Sequence, residues 1–333
     1  MLSIIIVNYN STDLVTDCIR SLLQYNEADG LELIVVDNDS TDNGREKILK
    51  SFPSVRWIDM GYNAGFARGN NAGMRAATGN SFLLLNPDTI SIDNSISRCR
   101  QALAESEIVA AGIQLLDRNK EPQISGSFFV KGGLNHLLPI PYWGRLIRWL
   151  GYKAKTKVPN VKQAKPVEEV DWISGAFLLV KKSAIEKAGM MDEDFFLYAE
   201  EVEWCSRLKK IGRLCLFGDM HIIHLEGHSI NKSMGIDEKG YYNLYDKKGL
   251  QLMVSNHLRV RKQYGAGWFL FLLLNYTWGV LFFWICSTLY HLFTLRNPFS
   301  EWKKTGQMGA NVLRLWSLTP RILGNKPYFY KMM

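Results

Sequence analysis

The sequence predicts an α/β fold, a mostly parallel sheet flanked by helices with an apolar helical appendage at the C-terminal end, on three observations. Short β-branched runs alternate with helix-length segments through the first half of the 333 residues, the pattern of βαβ units. Polar clusters follow directly on those runs, as in "VVDNDSTD" and "LLLNPDT". Residues 263–295 contain no Asp, Glu, Lys or Arg.

The strand-like runs are residues 2–7, 31–36, 55–58, 82–85 and 108–113. The opening "MLSIIIVNYN" lacks the basic flank and long apolar run of a signal peptide, so it reads as the first strand. After the third run comes "GYNAGFARGNNAG", whose glycines recur every fourth residue and line one face of a helix from Gly65 onward. A second block, residues 170–189, supplies another buried strand and a short helix; residues 199–212 form a helix stopped by Gly212, and 214–217 and 221–224 read as two short strands. The 1–230 region is thus expected to form one domain with halves at 1–115 and 170–230, and 231–333 a helical region.

Composition narrows the function classes. Charged residues make up 22% and hydrophobic residues 47%, as in an ordinary folded protein. A net charge of +8 points to an acidic partner, an anionic membrane surface or a phosphate-bearing substrate; no nucleic-acid motif accompanies it. Five scattered cysteines without a Cys-x-x-Cys pair fit a reducing compartment and no structural zinc. Residues 144–166 hold seven Lys and Arg and no acid, with "LIRWLGY" among them, which reads as a solvated loop or as a basic flap facing a membrane or substrate. The apolar 263–295 stretch has basic residues on both sides, so a helix or bent hairpin lying in one face of the bilayer is expected ahead of a full span or a soluble core pair.

In open α/β sheets ligands lie beyond the carboxyl ends of the strands, which singles out Asn8, Tyr9 and Asn10 after the first strand and Asp37 after the second. A carboxylate at Asp37 can accept from a pyrimidine ring N–H, or simply cap a turn. Asn86 and Asp88 fall at the end of the fourth strand, where an oxygen ligand on a proline-stiffened turn suits a hard divalent cation bridging a diphosphate. In "FFLYAEEVEWCSRLKKIG", Glu203 and Arg207 are an i,i+4 pair, while Glu201 lies one turn before Cys205 on the apolar side with Glu200 beside it. His221, His224 and His228 cannot share one zinc from a strand, but one of them can complete a site begun by Asp88. Neither a G-x-G-x-x-G fingerprint after the first strand nor a Walker loop is present.

With seven motifs in order, "SIIIVNYN", "LIVVDNDSTD", "YNAGFARGNNAG", "LLLNPD", "DWISGAFLLVKK", "MDEDFFLYAEEVEWCSRLKKIG" and "IIHLEGHS", the chain resembles the family 2 glycosyltransferases, in particular the bacterial rhamnosyltransferase-like branch, over residues 1–265. The resemblance implies the GT-A fold, a Rossmann-like sheet that binds a nucleoside-diphosphate sugar carrying UDP or dTDP, with Mg²⁺ or Mn²⁺ as cofactor. It implies that Asn8, Tyr9, Asn10 and Asp37 hold the nucleoside, that Asn63 and Arg68 approach the ribose or diphosphate, and that Asp88 and His224 are metal ligands. Trp172, Ser174 and Gly175 would line the sugar and acceptor pocket, and Glu201, or Glu200, would be the base. The implied acceptor is a polyprenyl-diphosphate-linked saccharide at the cytoplasmic face of the inner membrane, with the enzyme held there as a peripheral or monotopic protein; a homo-oligomer is compatible with this. Two departures stand out: a Glu-Glu pair where relatives have Glu-Asp, and Asn86 where many have Asp. "RLIRW" matches the Gln-x-x-Arg-Trp signature of processive synthases only in part and precedes the acceptor block, so one sugar per encounter is expected. The competing readings are a sugar-nucleotide pyrophosphorylase, whose glycine-rich loop is missing after the first strand, and a non-catalytic membrane-associated nucleotide-sugar-binding protein.

Overall fold

The computed structural model describes residues 1–25, 30–153, 155–156, 158–225 and 243–333. The chain divides into two compact units, one drawn from Met1–Phe128, Asn160–Glu193 and Glu200–Glu238, the other from Phe129–Pro159, Asp194–Ala199 and Lys239–Met333.

The first unit is the sheet unit. Its elements begin β1 (Leu2–Asn8), α1 (Thr12–Tyr25), β2 (Leu31–Asp37), α2 (Gly44–Ser51), β3 (Arg56–Asp59), α3 (Gly65–Ala76), β4 (Ser81–Leu85), β5 (Thr89–Ile90), α4 (Ser95–Ala104), β6 (Ile108–Leu116) and β7 (Gly126–Ser127). In the second unit a 3₁₀ segment, Lys131–Leu137, precedes α5 (Trp143–Lys153). The sheet unit resumes with β8 (Asn160–Val161), β9 (Glu168–Val170), β10 (Trp172–Ile173), β11 (Phe177–Lys181), α6 (Lys182–Ala188), α7 (Glu200–Leu208) and β12 (Arg213–His224). The second unit closes with α8 (Lys247–Tyr264), α9 (Ala266–Phe293) and α10 (Trp302–Gly324).

The nine-stranded sheet runs β3-β2-β1-β4-β11-β6-β12-β5, with β9 paired to β12. β1 pairs in parallel with β2 and β4, as the βαβ pattern predicts. β11 enters the centre antiparallel, between β4 and β6, so the sheet is mixed. The two short strands expected at 214–217 and 221–224 are one strand, β12, whose register against β6 shifts between Phe217 and His221. An irregularity of that kind keeps the strand paired while re-aiming the side chains beyond it.

The central strands are buried on both faces because helices cover both. Ile4, Ile6, Leu83 and Leu85 point into one core with α1 and α4, and Ile5, Leu84, Leu178 and Val180 into the other with α3, α6 and α7. The glycine face of α3 lies flat on β1: a Cβ at Gly73 would stand 2.4 Å from Ile5 Cγ2 and one at Gly69 3.0 Å from Val7 Cγ1. The four-residue spacing thus serves close packing onto the sheet. On α7, Trp204 is fully buried and donates to the Gly189 carbonyl at 2.8 Å. Arg207 clasps Glu203 with Nε and Nη2 at 2.8–3.1 Å, as the i,i+4 spacing predicts. All five cysteines are free thiols; burial pushes Cys18 and Cys205 up to about 12, which leaves them inert.

In the second unit, the first part of the basic 144–166 stretch is the helix α5 rather than a loop. Trp143 packs edge-on to Phe282 and Tyr142 against Phe283, which seats α5 on α9. The apolar stretch is one continuous helix of 28 residues, not a bent hairpin. At 1.5 Å per residue it is about 42 Å long, and it is the one helix among the described residues with the length and composition to cross a membrane. One side, Phe269, Leu272, Tyr276 and Phe283, is packed; Leu270, Phe271, Leu274, Trp278 and Leu281 on the other are exposed.

Candidate active site

The site is built where β1, β2, β4 and β12 end. At the first corner Asn8 is fully buried, and its amide nitrogen donates to Asp37 Oδ1 at 2.8 Å and to Ser40 Oγ at 3.1 Å. Asp37 Oδ2 accepts from the Ser40 amide at 2.9 Å. Asn10, in the left-handed region at φ 51°, accepts from the Thr41 amide at 2.8 Å. These bonds tie the ends of β1 and β2 into a fixed polar floor, while Tyr9 stays partly exposed beside it.

Asn63 and Arg68 stand at the start of α3. Asn63 Oδ1 accepts from the Gly65 amide at 3.1 Å, and Gly65 takes φ 73° to begin the helix. Arg68 Nε donates to the Glu193 carbonyl at 3.0 Å and Nη1 reaches Tyr62 Oη at 3.4 Å. The guanidinium is thus steadied from two sides. Asn38, in the "VVDNDSTD" cluster that ends the second strand, joins this corner: its Nδ2 donates to the Gly65 carbonyl at 2.9 Å, and its own Oδ1 is buried without a hydrogen bond.

Asp88 and His224 come together although far apart in the chain. Asp88 is 1% exposed, and its Oδ1 lies 3.4 Å from His224 Nε2. The pairing of β5 with β12 brings this about, with His224 opposite Thr89 and the Leu225 amide donating to the Asp88 carbonyl at 2.9 Å. Asn86 Nδ2 lies 3.5 Å from the same imidazole nitrogen. On the far side of the ring, His224 Nδ1 faces Gln123 Oε1 at 3.1 Å, and Gln123 Nε2 donates to the His224 carbonyl at 3.0 Å.

Does this pair fit the divalent cation the resemblance implies? Two cis ligands each about 2.1 Å from one small cation lie about 3 Å apart, close to the spacing observed. A carboxylate and an imidazole form a mixed donor set suited to Mn²⁺. Among the described residues no group of three or more His, Cys, Asp and Glu gathers here or elsewhere. The pair therefore fits a cation whose remaining ligands come from diphosphate and water, as such ions prefer. His221 lies back along β12, opposite Gln114, and His228 falls outside the described residues.

Residues 172–176 reach the same strand ends from the other direction. The Asn86 amide donates to the Ala176 carbonyl at 3.1 Å, which couples the turn bearing Asp88 to residues 174–176. Ser174 is anchored through its amide to the Ser125 carbonyl at 2.9 Å, and its Oγ accepts from Ala176. Trp172 is held in the short β10–β7 ladder opposite Ser127. Gly175 then touches α7: a Cβ there would lie 3.7 Å from Glu201 Cβ and 3.3 Å from the Phe66 ring. Glu200 is 2% exposed and turned inward, whereas Glu201 remains partly open. Two consecutive left-handed residues, Tyr198 at φ 72° and Ala199 at φ 68°, set up the start of this helix. Non-glycine backbone in that region costs about 1–3 kcal/mol each and collects at functional sites.

The mixed sheet with this strand order, flanked by helices on both faces, is GT-A-like in fold. Comparison with known proteins agrees. The model of "Glycosyl transferase family 2" matches residues 3–158, so this part of the chain is similar to that family. It is 30% identical over 219 residues to the low-salt glycan biosynthesis hexosyltransferase of Haloferax volcanii, covering 63% of this chain and 62% of that one. It is 26% identical over 219 residues to the N-acetylglucosaminyl-diphospho-decaprenol L-rhamnosyltransferase of Mycobacterium tuberculosis, covering 61% of this chain and 69% of that one. The chain thus spans less than two thirds of the Haloferax protein's length. Its fold is shared with a mannosyltransferase of Pyrobaculum calidifontis solved in complex with GDP-mannose and Mn²⁺, at a TM-score of 0.52 and 15% identity over 96% of this chain and 86% of that one.

Proposed function

We propose that this protein is an inverting, metal-dependent glycosyltransferase that moves one sugar, rhamnose as the first candidate, from a UDP- or dTDP-sugar to a polyprenyl-diphosphate-linked saccharide in cell-surface polysaccharide assembly. The observation that carries the reading is the Asn86–Ala176 hydrogen bond, which joins the Asp88–His224 pair to the Gly175–Glu201 contact at one end of one sheet. The activities for which the Haloferax and Mycobacterium relatives are named support the hexosyl and lipid-diphosphate parts of it.

In this reading the floor of Asn8, Asn10 and Asp37 holds the nucleoside with Tyr9 beside the base, and Arg68 with Asn63 faces the ribose and diphosphate. Asp88 and His224 hold a Mg²⁺ or Mn²⁺, which when bound neutralises charge on the departing diphosphate. Trp172, Ser174 and Gly175 shape the space for sugar and acceptor; the absence of a side chain at Gly175 leaves the Glu201 carboxylate room to reach it. Glu201 takes the proton of an acceptor hydroxyl as its oxygen bonds to the anomeric carbon and the bond from that carbon to the diphosphate breaks. One displacement inverts the configuration. Glu200, buried behind it, keeps α7 in place.

The purified protein, given Mn²⁺, a panel of UDP-, dTDP- and GDP-sugars and a lipid-diphosphate-GlcNAc acceptor, is expected to release nucleoside diphosphate only when acceptor is present, and to form a product of inverted anomeric configuration by NMR. Exchange of pyrophosphate into the donor would instead identify a pyrophosphorylase, and no turnover with any donor would leave a binding protein.

The second unit suits an anionic bilayer surface. α5 exposes Leu146, Trp149 and Leu150 at helical spacing beside Arg145, Arg148 and Lys153, and α9 adds its own exposed apolar side. Aromatic and aliphatic groups interleaved with cations are the composition of an interfacial helix. Each basic group near an anionic surface contributes about 1 kcal/mol. Reversing Arg145, Arg148 and Lys153 to Glu is therefore expected to lower binding to phosphatidylglycerol vesicles at least about tenfold in co-sedimentation; binding unchanged by the triple variant would refute an interfacial role for α5.

A further inference from the structure

We infer that Gln123 is a positioning residue of the active site: its side-chain amide fixes the tautomer and the orientation of the His224 imidazole, aiming Nε2 at Asp88. The inference rests on the reading of Asp88 and His224 as cation ligands for its consequence, though not for its geometry.

The hydrogen bonds decide the assignment. Gln123 Nε2 lies 3.0 Å from the His224 backbone carbonyl, an acceptor only, so the NH₂ half of the amide must stand there. The opposite orientation would set two carbonyl oxygens against each other. Gln123 Oε1 then faces His224 Nδ1 at 3.1 Å, and an amide oxygen only accepts, so Nδ1 carries the hydrogen. A neutral imidazole has one N–H, and Nε2 is left with its lone pair toward Asp88 Oδ1 at 3.4 Å and Asn86 Nδ2 at 3.5 Å. An imidazole whose far nitrogen donates to an oxygen is the arrangement by which proteins orient a metal-binding histidine.

Gln123 is itself held rigidly. It lies on the chain returning alongside β6, where its amide donates to the Leu115 carbonyl at 2.8 Å. Its carbonyl accepts at 2.9 Å from Gln114 Nε2. Gln114 is 2% exposed, and the same side chain reaches Ser125 Oγ and the Lys162 carbonyl while its Oε1 accepts from the Ala164 amide. The base from which Gln123 projects is thus braced by both neighbouring segments.

The test separates tautomer from metal. In ¹⁵N-histidine-labelled protein, the His224 signal, identified by its loss in His224→Ala, is expected to report Nδ1–H in the neutral wild-type imidazole. In Gln123→Met, of similar length but without the amide, it is expected to revert to Nε2–H or a mixture. Gln123→Glu keeps an acceptor for Nδ1 and is expected to retain Nδ1–H, which guards against a Met variant that fails to fold. Mn²⁺ affinity, read by electron paramagnetic resonance in the presence of UDP, should fall by about 10–100-fold in Gln123→Met. An Nε2–H wild type, or a Gln123→Met protein that keeps both the tautomer and the affinity, overturns the inference. If His224→Ala binds Mn²⁺ as tightly as the wild type, the ligand reading fails instead, and the tautomer result stands apart from it.

Discussion

Asp88→Ala is expected to lower sugar transfer at least about a thousandfold while leaving the melting temperature nearly unchanged. Charge neutralisation at a departing diphosphate is worth several kcal/mol, and each 1.4 kcal/mol is about tenfold in rate. Asp88 sits on a short turn beyond the core, its backbone held by the Leu225 amide and the β5–β12 pairing whatever its side chain. The variant should therefore fold, bind the nucleoside through the Asp37 corner, and lose most of its response to added Mn²⁺. Transfer surviving at more than about a tenth of the wild-type rate would remove Asp88 from the cation site.

Glu201→Gln is expected to cost about 10²–10⁴ in kcat, the range of a positioned general base. The amide is nearly isosteric and cannot take the proton, so KM for the donor should change little. Glu200→Gln provides the contrast. Its side chain is buried, and substitution there should show chiefly as a lower melting temperature with a smaller loss of kcat. The reverse ranking, with Glu200→Gln the slower enzyme at equal stability, would transfer the base to Glu200. Glu201→Asp shortens the arm by one methylene, and since catalysis responds to displacements of about 1 Å, it should fall between wild type and Glu201→Gln.

Most of the fold was legible because its signals are local. β1, β2, β4 and β6 announce themselves as apolar runs bounded by turn residues, and each lies within a few residues of its expected place. The Glu203–Arg207 pair and the close packing of α3 follow from spacings of four. What escaped is non-local. An apolar run such as Phe177–Lys181 says that it is buried but not between which strands or in which direction, so its antiparallel entry between β4 and β6 could not be foreseen. The helix in the basic stretch was obscured because cations at Arg145, Arg148 and Lys153 look alike in a loop and on a helix. Asp88, His224 and Glu201 could be proposed from motifs whose order is specific. Gln123 could not, since one more amide in a polar segment acquires meaning only from the atoms it meets.

The central placement of β11 bears on how the chain reaches its native state. Apart from the short return through Pro122 and Gln123, β6 pairs with β11 and β12 among the described residues, and one edge of β4 waits for β11 as well. While the ribosome is still making residues 117–176, the apolar Ile108–Leu116 segment is already present and has no neighbour to hydrogen-bond with. Long-range pairing of this sort is slow and exposes aggregation-prone edges. A truncated polypeptide ending near residue 115 would inherit that unmatched strand permanently, so the first 115 residues are expected to aggregate when made alone.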